Sequence, residues 1–318
     1  MAKDMSSHSD IGKMKVESDG SFNRKAASFR DVISEDGKFA PEKERYHLYV
    51  SYACPWATRC LIVRQLKGLE EVIPVTVVSP HMGSDGWPFA SADSFPGAEE
   101  DPLHGSRHIR DLYLRAKPDF EGRFTVPVLW DKKLNTIVSN ESSEIIRMFN
   151  TAFNALIPKD KASIDLYPEH LRKEIDEINE FVYPNLNNGV YRSGFAQSQG
   201  AYDAAVKDVF NCLDKLEERL KGNDYLVGGQ LTEADIRLFV TTIRFDPVYV
   251  SHFKCNLRDI RHGYPAINQF TKNLYWNNAS FKDNTNFEHI KVHYYWSQTN
   301  VNPSRVVAVG PHPDIEPL

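Results

Sequence analysis

Residues 46 to 66 constrain this chain more than any other stretch. Tyr46-His47-Leu48-Tyr49-Val50-Ser51 is a β-type run of aromatic and branched side chains. Cys54-Pro55-Trp56-Ala57 interrupts it, and an amphipathic stretch then continues through Leu66. Proline lacks the N–H that a strand interior needs, but it suits the first position of a helix. The order is therefore strand, short turn, helix, with Cys54 at the N-cap. A thiol placed there faces unpaired backbone N–H groups and the positive end of the helix dipole, and both favour thiolate. The ordinary cysteine pKa of about 8.5 can fall by several units in such a position. Cys54 is thus expected to be a nucleophile with a lowered pKa, rather than a small buried hydrophobe.

The rest of the chain supplies a frame for that unit. Val72 to Val78 is an apolar run that suits a buried parallel strand. Ser79 to Gly122 is rich in Gly, Pro, Ser and His, with one charged helix-like piece from His108 to Ala116. A loop this long inside a domain is usually functional or an insertion. Phe124 to Trp130 reads as a third strand, Thr136 to Val138 as a fourth, and Glu141 to Phe149 as a helix. This order, β-α-β, insertion, β-β-α, is a thioredoxin-like layout. From about Pro168 the signals turn helical: His170 to Phe181, Tyr202 to Leu220, Thr232 to Phe245 and Ala266 to Trp276. Three parts are expected: a mobile polar arm over 1–40, a thioredoxin-like α/β domain over 41–155, and an all-α domain over 165–318.

Composition removes several alternatives. Hydrophobic residues make up 41% and charged residues 25%, which fits a globular protein able to build more than one core. The formal net charge is -5 without a long basic run, so a nucleic-acid partner is not expected. No apolar stretch reaches the roughly 18 residues of a membrane span. Met1 to Gly20 is polar, lacks an apolar segment and carries acids, unlike a secretory or transit leader. The four cysteines, Cys54, Cys60, Cys212 and Cys255, form no repeated C-x-x-C pair. Few, scattered cysteines in a large chain fit a reducing compartment, hence the cytoplasm. His104 and His108 have i,i+4 spacing, but no further ligand is spaced to complete a site, and no metal is expected.

Three more features bear on chemistry. In a C-x-x-C arrangement the second cysteine would stand at position 57, which is Ala57. Cys60 lies six residues along the helix, a rise of ~9 Å, beyond the ~7 Å Cα separation a disulfide tolerates. A mixed disulfide on Cys54 must then be resolved by an external thiol, for which glutathione is the obvious candidate. A cis Val126-Pro127 bond would turn the Val126 backbone outward beside Cys54, where an extended peptide such as glutathione could pair as an added strand. Glu141-Ser142 opens a helix, which suits the ammonium and carboxylate of a γ-glutamyl group. Leu231-Thr232-Glu233-Ala234-Asp235-Ile236 is a structural capping signature, with Thr232 at the N-cap and Asp235 at N3.

Together these pieces resemble a cytosolic glutathione transferase, and cysteine in the active-site position resembles the Omega class. Longer strings resemble one branch, the S-glutathionyl-hydroquinone reductases of the Xi class. They are Y-V-S-Y-A-C-P-W-A-T-R, G-R-F-T-V-P-V-L-W-D, S-N-E-S-S-E-I-I-R, A-D-I-R-L-F-V-T-T-I-R-F-D-P-V-Y, H-F-K-C-N and H-I-K-V-H-Y-Y. Gln298 stands where the pattern suggests histidine. The resemblance implies that Cys54 is the nucleophile and that Trp87, Arg123, Val126, Glu141 and Ser142 contact glutathione. It also implies that Tyr191, Tyr249 and Tyr294 line an aromatic acceptor site, with Tyr295 as an alternative to Tyr294. The implied activity is removal of glutathione from glutathionyl-hydroquinones by a cytoplasmic homodimer, with glutathione as cosubstrate and aromatic glutathione conjugates as partners. Two rival readings are an Omega-type thiol transferase or dehydroascorbate reductase, and a glutathione-binding scaffold without turnover.

Overall fold

The computed structural model describes residues 16–318. Its first half carries β1 (Tyr46–Val50), α1 (Pro55–Leu66), β2 (Val75–Val77), α2 (Ile109–Ala116), β3 (Val128–Asp131), β4 (Thr136–Ser139) and α3 (Ser142–Thr151). The strands form one sheet in the order β2-β1-β3-β4. β1 runs parallel to β2 and antiparallel to β3, with Leu48 opposite both Val75 and Leu129. Every residue of β1 is buried, because strands flank it on both edges and side chains cover both faces. The third strand starts at Val128 rather than Phe124. Pro127 has no N–H to give a ladder, and the Val126–Pro127 bond ahead of it is cis. The long insertion is ordered: Asp101 accepts from the Tyr49 hydroxyl (2.7 Å) and from the backbone N–H groups of Leu103 and Ser106 (each 3.1 Å).

The second half is helical: α4 (Lys159–Ala162), α5 (Arg172–Val182), α6 (Gly189–Phe195), α7 (Gln199–Leu220), α8 (Glu233–Arg244), α9 (Ile260–Gly263), α10 (Pro265–Asn277), α11 (Ala279–Lys282) and α12 (Phe287–Val292). Five-residue π-type turns at Tyr183–Asn187, Phe245–Tyr249 and His293–Ser297 follow α5, α8 and α12. Helix α8 is buried along its whole length and packs on α1, α5 and α10. Its start is the capping box read from the sequence: Asp235 accepts from the backbone N–H (2.8 Å) and hydroxyl (2.9 Å) of Thr232. Glu233, at 2% exposure, takes Arg147 of α3, Arg237 and Asn179 as donors, so one carboxylate links the two halves.

The expected mobile arm over 1–40 needs correction within the described residues, Val16 onward. Phe22, Ile33 and Phe39 are buried in the common core, each at 5% exposure or less. At one end Gln197 N–H donates to the Gly20 carbonyl (2.9 Å) and the Ser198 hydroxyl to the Asp19 carbonyl (2.8 Å). At the other, Phe29 and Asn140 exchange hydrogen bonds of 3.0 and 3.1 Å, and Asp31 N–H donates to Val138 of β4 (3.0 Å). Three isolated apolar anchors hold a polar segment that has no period of its own. The arm is therefore a strap from the helical half to the sheet; residues 1–15 lie outside the described residues.

Candidate active site

Cys54 is the N-cap of α1, with extended backbone (φ -78°, ψ 116°), and the helix begins where Thr58 N–H donates to its carbonyl (3.0 Å). Its Sγ–H donates to the Val126 carbonyl (3.3 Å), so the thiol faces the backbone just ahead of Pro127. The turn that presents it is held from the helical half. Arg244, the last residue of α8 and fully buried, donates to the carbonyls of Ala53 (3.2 Å) and Tyr52 (2.9 Å) and to the Thr58 hydroxyl (2.8 Å). Among the described residues no carboxylate pairs with it. A buried guanidinium matched only by neutral acceptors leaves its positive charge uncompensated, which favours an anion nearby. The Cys54 sulfur is the group placed to become that anion.

The expected lowering of the Cys54 pKa is not what the site produces. Burial pushes the thiol up, while the backbone N–H groups of Ala57 and Trp56 and the charges of Arg244 and Arg24 pull it down. Desolvation is the largest of these influences and outweighs the N–H groups of the helix start. Cys60 is driven further up, also by burial, and packs inside α1 as a small apolar residue.

The residues expected to hold glutathione sit as follows. Val126 accepts from Cys54, as above. Glu141 caps α3: its Oε1 accepts from the backbone N–H (3.0 Å) and hydroxyl (2.8 Å) of Ser143. Ser142 opens α3 at 1% exposure, and its hydroxyl has no hydrogen-bond partner among the described residues. An unpaired buried hydroxyl at a helix start costs free energy unless something else bonds to it, and a ligand carboxylate would. Burial and the neighbouring Arg24 pull Arg123 down to about 10; its guanidinium has no acid partner among the described residues. Trp87 stacks on His293, with ring centroids 4.3 Å apart and planes at 24°. His293 Nδ1–H donates to the Pro80 carbonyl (3.1 Å), and burial holds the ring neutral, with its pKa lowered to about 3.

The three tyrosines, distant in sequence, meet. Tyr191 (α6), Tyr249 (end of a π-type turn) and Tyr294 (within another) are all buried, with the Tyr294 hydroxyl 2.5 Å from that of Tyr191 and 3.0 Å from that of Tyr249. Such turns re-aim side chains within a helix and recur at functional sites. Tyr295 is outside the group; its hydroxyl donates to the Pro247 carbonyl (3.2 Å) and pairs with Ser251. Burial raises all three phenol pKa values, so each keeps its proton. Three protons serve two internal hydrogen bonds, which leaves one O–H free to donate outward. The cluster borders Cys54 through Trp56, whose ring meets Tyr191 edge-on at 5.5 Å. Gln298, the departure from the expected pattern, accepts from His252 Nε2–H (3.0 Å), and the His252 ring meets that of Tyr294 edge-on at 6.2 Å.

Sequence reading passed over two members of this constellation, Arg244 and Arg24. Arg244 closes a stretch in which Ile236, Leu238, Phe239, Val240 and Ile243 are apolar, a usable signal because a charge placed among such residues needs bonded partners. Arg24 carries no local signal at all.

A cysteine at the head of the first helix of a thioredoxin-like sheet, facing a helical half that supplies aromatic walls, defines a glutathione-transferase type of enzyme. The comparisons agree. Residues 53–152 match the model "Glutathione S-transferase, N-terminal domain" and residues 199–273 match "Glutathione S-transferase, C-terminal domain". The crystal structure of the glutathione-S-transferase Xi from Phanerochaete chrysosporium is 68% identical with TM-score 0.96, covering 98% of this chain and 99% of that one. Glutathione S-transferase omega-like 2 of Schizosaccharomyces pombe is 55% identical over 94% of this chain and 96% of its own length. Glutathionyl-hydroquinone reductase YqjG of Escherichia coli is 51% identical over 93% of this chain and 91% of its own length. The glutathione-bound structure of YqjG aligns with TM-score 0.86 at 50% identity, covering 91% of this chain and 95% of that one. The chain belongs to the glutathione S-transferase family, and within it to the Xi class.

Proposed function

We propose that this chain is a glutathione-dependent reductase that removes glutathione from S-glutathionyl-hydroquinones through a mixed disulfide on Cys54. The observation that carries this reading is the joined trio of Tyr191, Tyr294 and Tyr249 beside Cys54. A general thiol transferase needs only the cysteine and the peptide site. Three protonated phenols with one spare donor suit a substrate that bears oxygens on an aromatic ring. Similarity to a protein named glutathionyl-hydroquinone reductase over nearly the whole chain supports the same reading.

In the proposed cycle, glutathione lies along Val126, with its γ-glutamyl end at Ser142 and Glu141 and its glycine carboxylate at Arg123; Trp87 contacts the peptide. The conjugate's ring first takes its keto form. Cys54 thiolate then attacks the glutathione sulfur, the carbon–sulfur bond breaks, and its electron pair passes into the ring as an enolate. The keto form already carries a proton on the sulfur-bearing carbon, so the tyrosine donor stabilises the enolate oxygen and a proton taken up at that oxygen restores the hydroquinone. The ring carbon is reduced and Cys54 becomes a disulfide with glutathione. A second glutathione attacks that disulfide, giving glutathione disulfide and free Cys54. A raised thiol pKa lowers the thiolate fraction but makes each thiolate a stronger nucleophile, and Arg244 and Arg24 hold the charge while it exists.

The site is read as glutathione-dependent without a metal, and the protein as a cytoplasmic homodimer; its four cysteines are all unpaired, as a reducing compartment would keep them. No helix among the described residues is long and apolar enough to cross a membrane. The test is glutathione-dependent release of hydroquinone from a purified glutathionyl-hydroquinone. Release that stops in Cys54→Ala supports the reading. Turnover of dehydroascorbate and small disulfides without hydroquinone release would favour the Omega-type alternative, and no turnover of any of them the scaffold.

A further inference from the structure

The strap crosses the junction between the two halves. Its anchors are Asp19 and Gly20 on the segment between α6 and α7, and Phe29 on Asn140 ahead of α3. Arg24 lies between those anchors. Its guanidinium carbon stands 4.8 Å from the centroid of Trp56, two residues after Cys54, and 4.7 Å from that of Tyr191. Nε–H donates to the Asn188 side-chain oxygen (2.9 Å), which fixes the plane of the group. Among the described residues no carboxylate pairs with Arg24. The remaining N–H donors are held over two ring faces with no protein anion to meet.

A surface arginine without a function would extend into water, where its charge is best solvated. This one is clamped by two aromatic faces and an amide. Cation–π contact over Trp and Tyr returns part of the lost hydration, and the arm is tied down on either side so that Arg24 cannot swing away. The other groups whose charge reaches Cys54 are few. Arg244 of α8 acts in the same direction as Arg24. The phenols of Tyr191 (α6) and Tyr113 (α2) are neutral neighbours whose ionisation burial suppresses. Arg123, ahead of β3, lies within reach of the charge of Arg24. On the sheet side, the charge of Glu141 reaches Cys60, in the interior of α1. The site is thus cationic, and of these cations Arg24 alone is carried on the strap.

We propose that Arg24 is a positioning residue of the active site: carried across the junction by the N-terminal strap, its guanidinium holds the negative charge of Cys54 while the thiolate waits for substrate. This rests on Cys54 being the nucleophile and goes beyond that reading, because it makes the strap part of the reactive site. Arg24 transfers no proton; it acts through the sulfur alone.

The experiment is the rate of Cys54 alkylation by iodoacetamide against pH in the full chain, with Cys60, Cys212 and Cys255 intact and modification located by peptide mass spectrometry. This readout needs no hydroquinone conjugate, so it reports on Arg24 even if the substrate assignment fails. Arg24→Gln is expected to move the midpoint upward, and each unit of movement lowers the neutral-pH rate about tenfold. Arg24→Lys keeps the charge and is expected to stay nearer the parent midpoint. Asn188→Ala frees the guanidinium and is expected to shift the midpoint upward by less than Arg24→Gln does; it stands in if that variant does not fold. A profile for Arg24→Gln that overlays the parent would overturn the proposal. So would a shift in Arg24→Lys as large as in Arg24→Gln, since the effect would then belong to packing, or an unmoved profile in Asn188→Ala where that variant stands in.

Discussion

The Tyr294 hydroxyl is the centre of the phenol chain, and replacing it tests whether that chain serves the aromatic half of the reaction. Tyr294→Phe keeps the ring, which is 1% exposed and packs edge-on against Tyr249 and Phe253. It deletes the one oxygen that joins Tyr191 to Tyr249, leaving two buried hydroxyls without their partner. That should cost stability by about 1–3 kcal/mol. If the chain donates to the ring oxygen as charge forms there, the barrier should rise by on the order of 2–4 kcal/mol. The corresponding loss in kcat/KM with a glutathionyl-hydroquinone is roughly 30- to 900-fold. The same variant should reduce a small glutathione mixed disulfide at nearly the parent rate, because a thiolate leaves without help. Tyr295→Phe is the internal control: its hydroxyl bonds Pro247 and Ser251, outside the chain, and it should fall little with either substrate. Equal losses for Tyr294→Phe on both substrates would refute the argument, since the phenols would then only support the fold. Unchanged turnover of the hydroquinone conjugate would refute it as well.

Other expectations concern the thiols, the fold and its pH response. Cys60→Ala, Cys212→Ala and Cys255→Ala should each retain most turnover, whereas Cys54→Ala should retain none, in a steady-state hydroquinone-release assay. Thr232→Ala removes one half of the capping box of α8 and should lower stability by roughly 0.5–2 kcal/mol in denaturant titration. His47 and His252 are buried and their pKa values are lowered by that burial to about 4, from 6.5. The unfolded chain therefore binds more protons in that window. Stability from this source is full above 6.5 and falls as the pH drops toward 4, by on the order of 1 kcal/mol per unit for each histidine. His47→Asn should flatten the slope of denaturation free energy against pH there.

What could be read in the sequence was what is local. The strand–Cys-Pro–helix unit, the Val-Pro pair and the capping box each lie within a few residues, and each recurred in place. The tyrosines were a different matter: nothing in their spacing joins positions 191, 249 and 294, and only the family resemblance put them together. The π-type turns that aim them have no compositional mark. Arg244 meets Ala53 across 191 positions, a pairing that periodicity cannot report. The strap was read as mobile because its polar composition hides three scattered anchors, Phe22, Ile33 and Phe39. The lowered thiol pKa was inferred from the helix start alone. That inference omitted desolvation, which depends on what the fold packs around the thiol and not on its neighbours in the chain.

The account turns on the fate of the glutathionyl group, and one measurement follows it directly. The enzyme is mixed with a single equivalent of glutathionyl-hydroquinone in the absence of free glutathione, and both the released aromatic and the protein are analysed by mass spectrometry. The prediction is release of free hydroquinone together with one glutathione in disulfide linkage to Cys54, discharged as glutathione disulfide when glutathione is added. Hydroquinone released with Cys54 still a free thiol, or with glutathione carried on Cys60, Cys212 or Cys255, would contradict the mechanism.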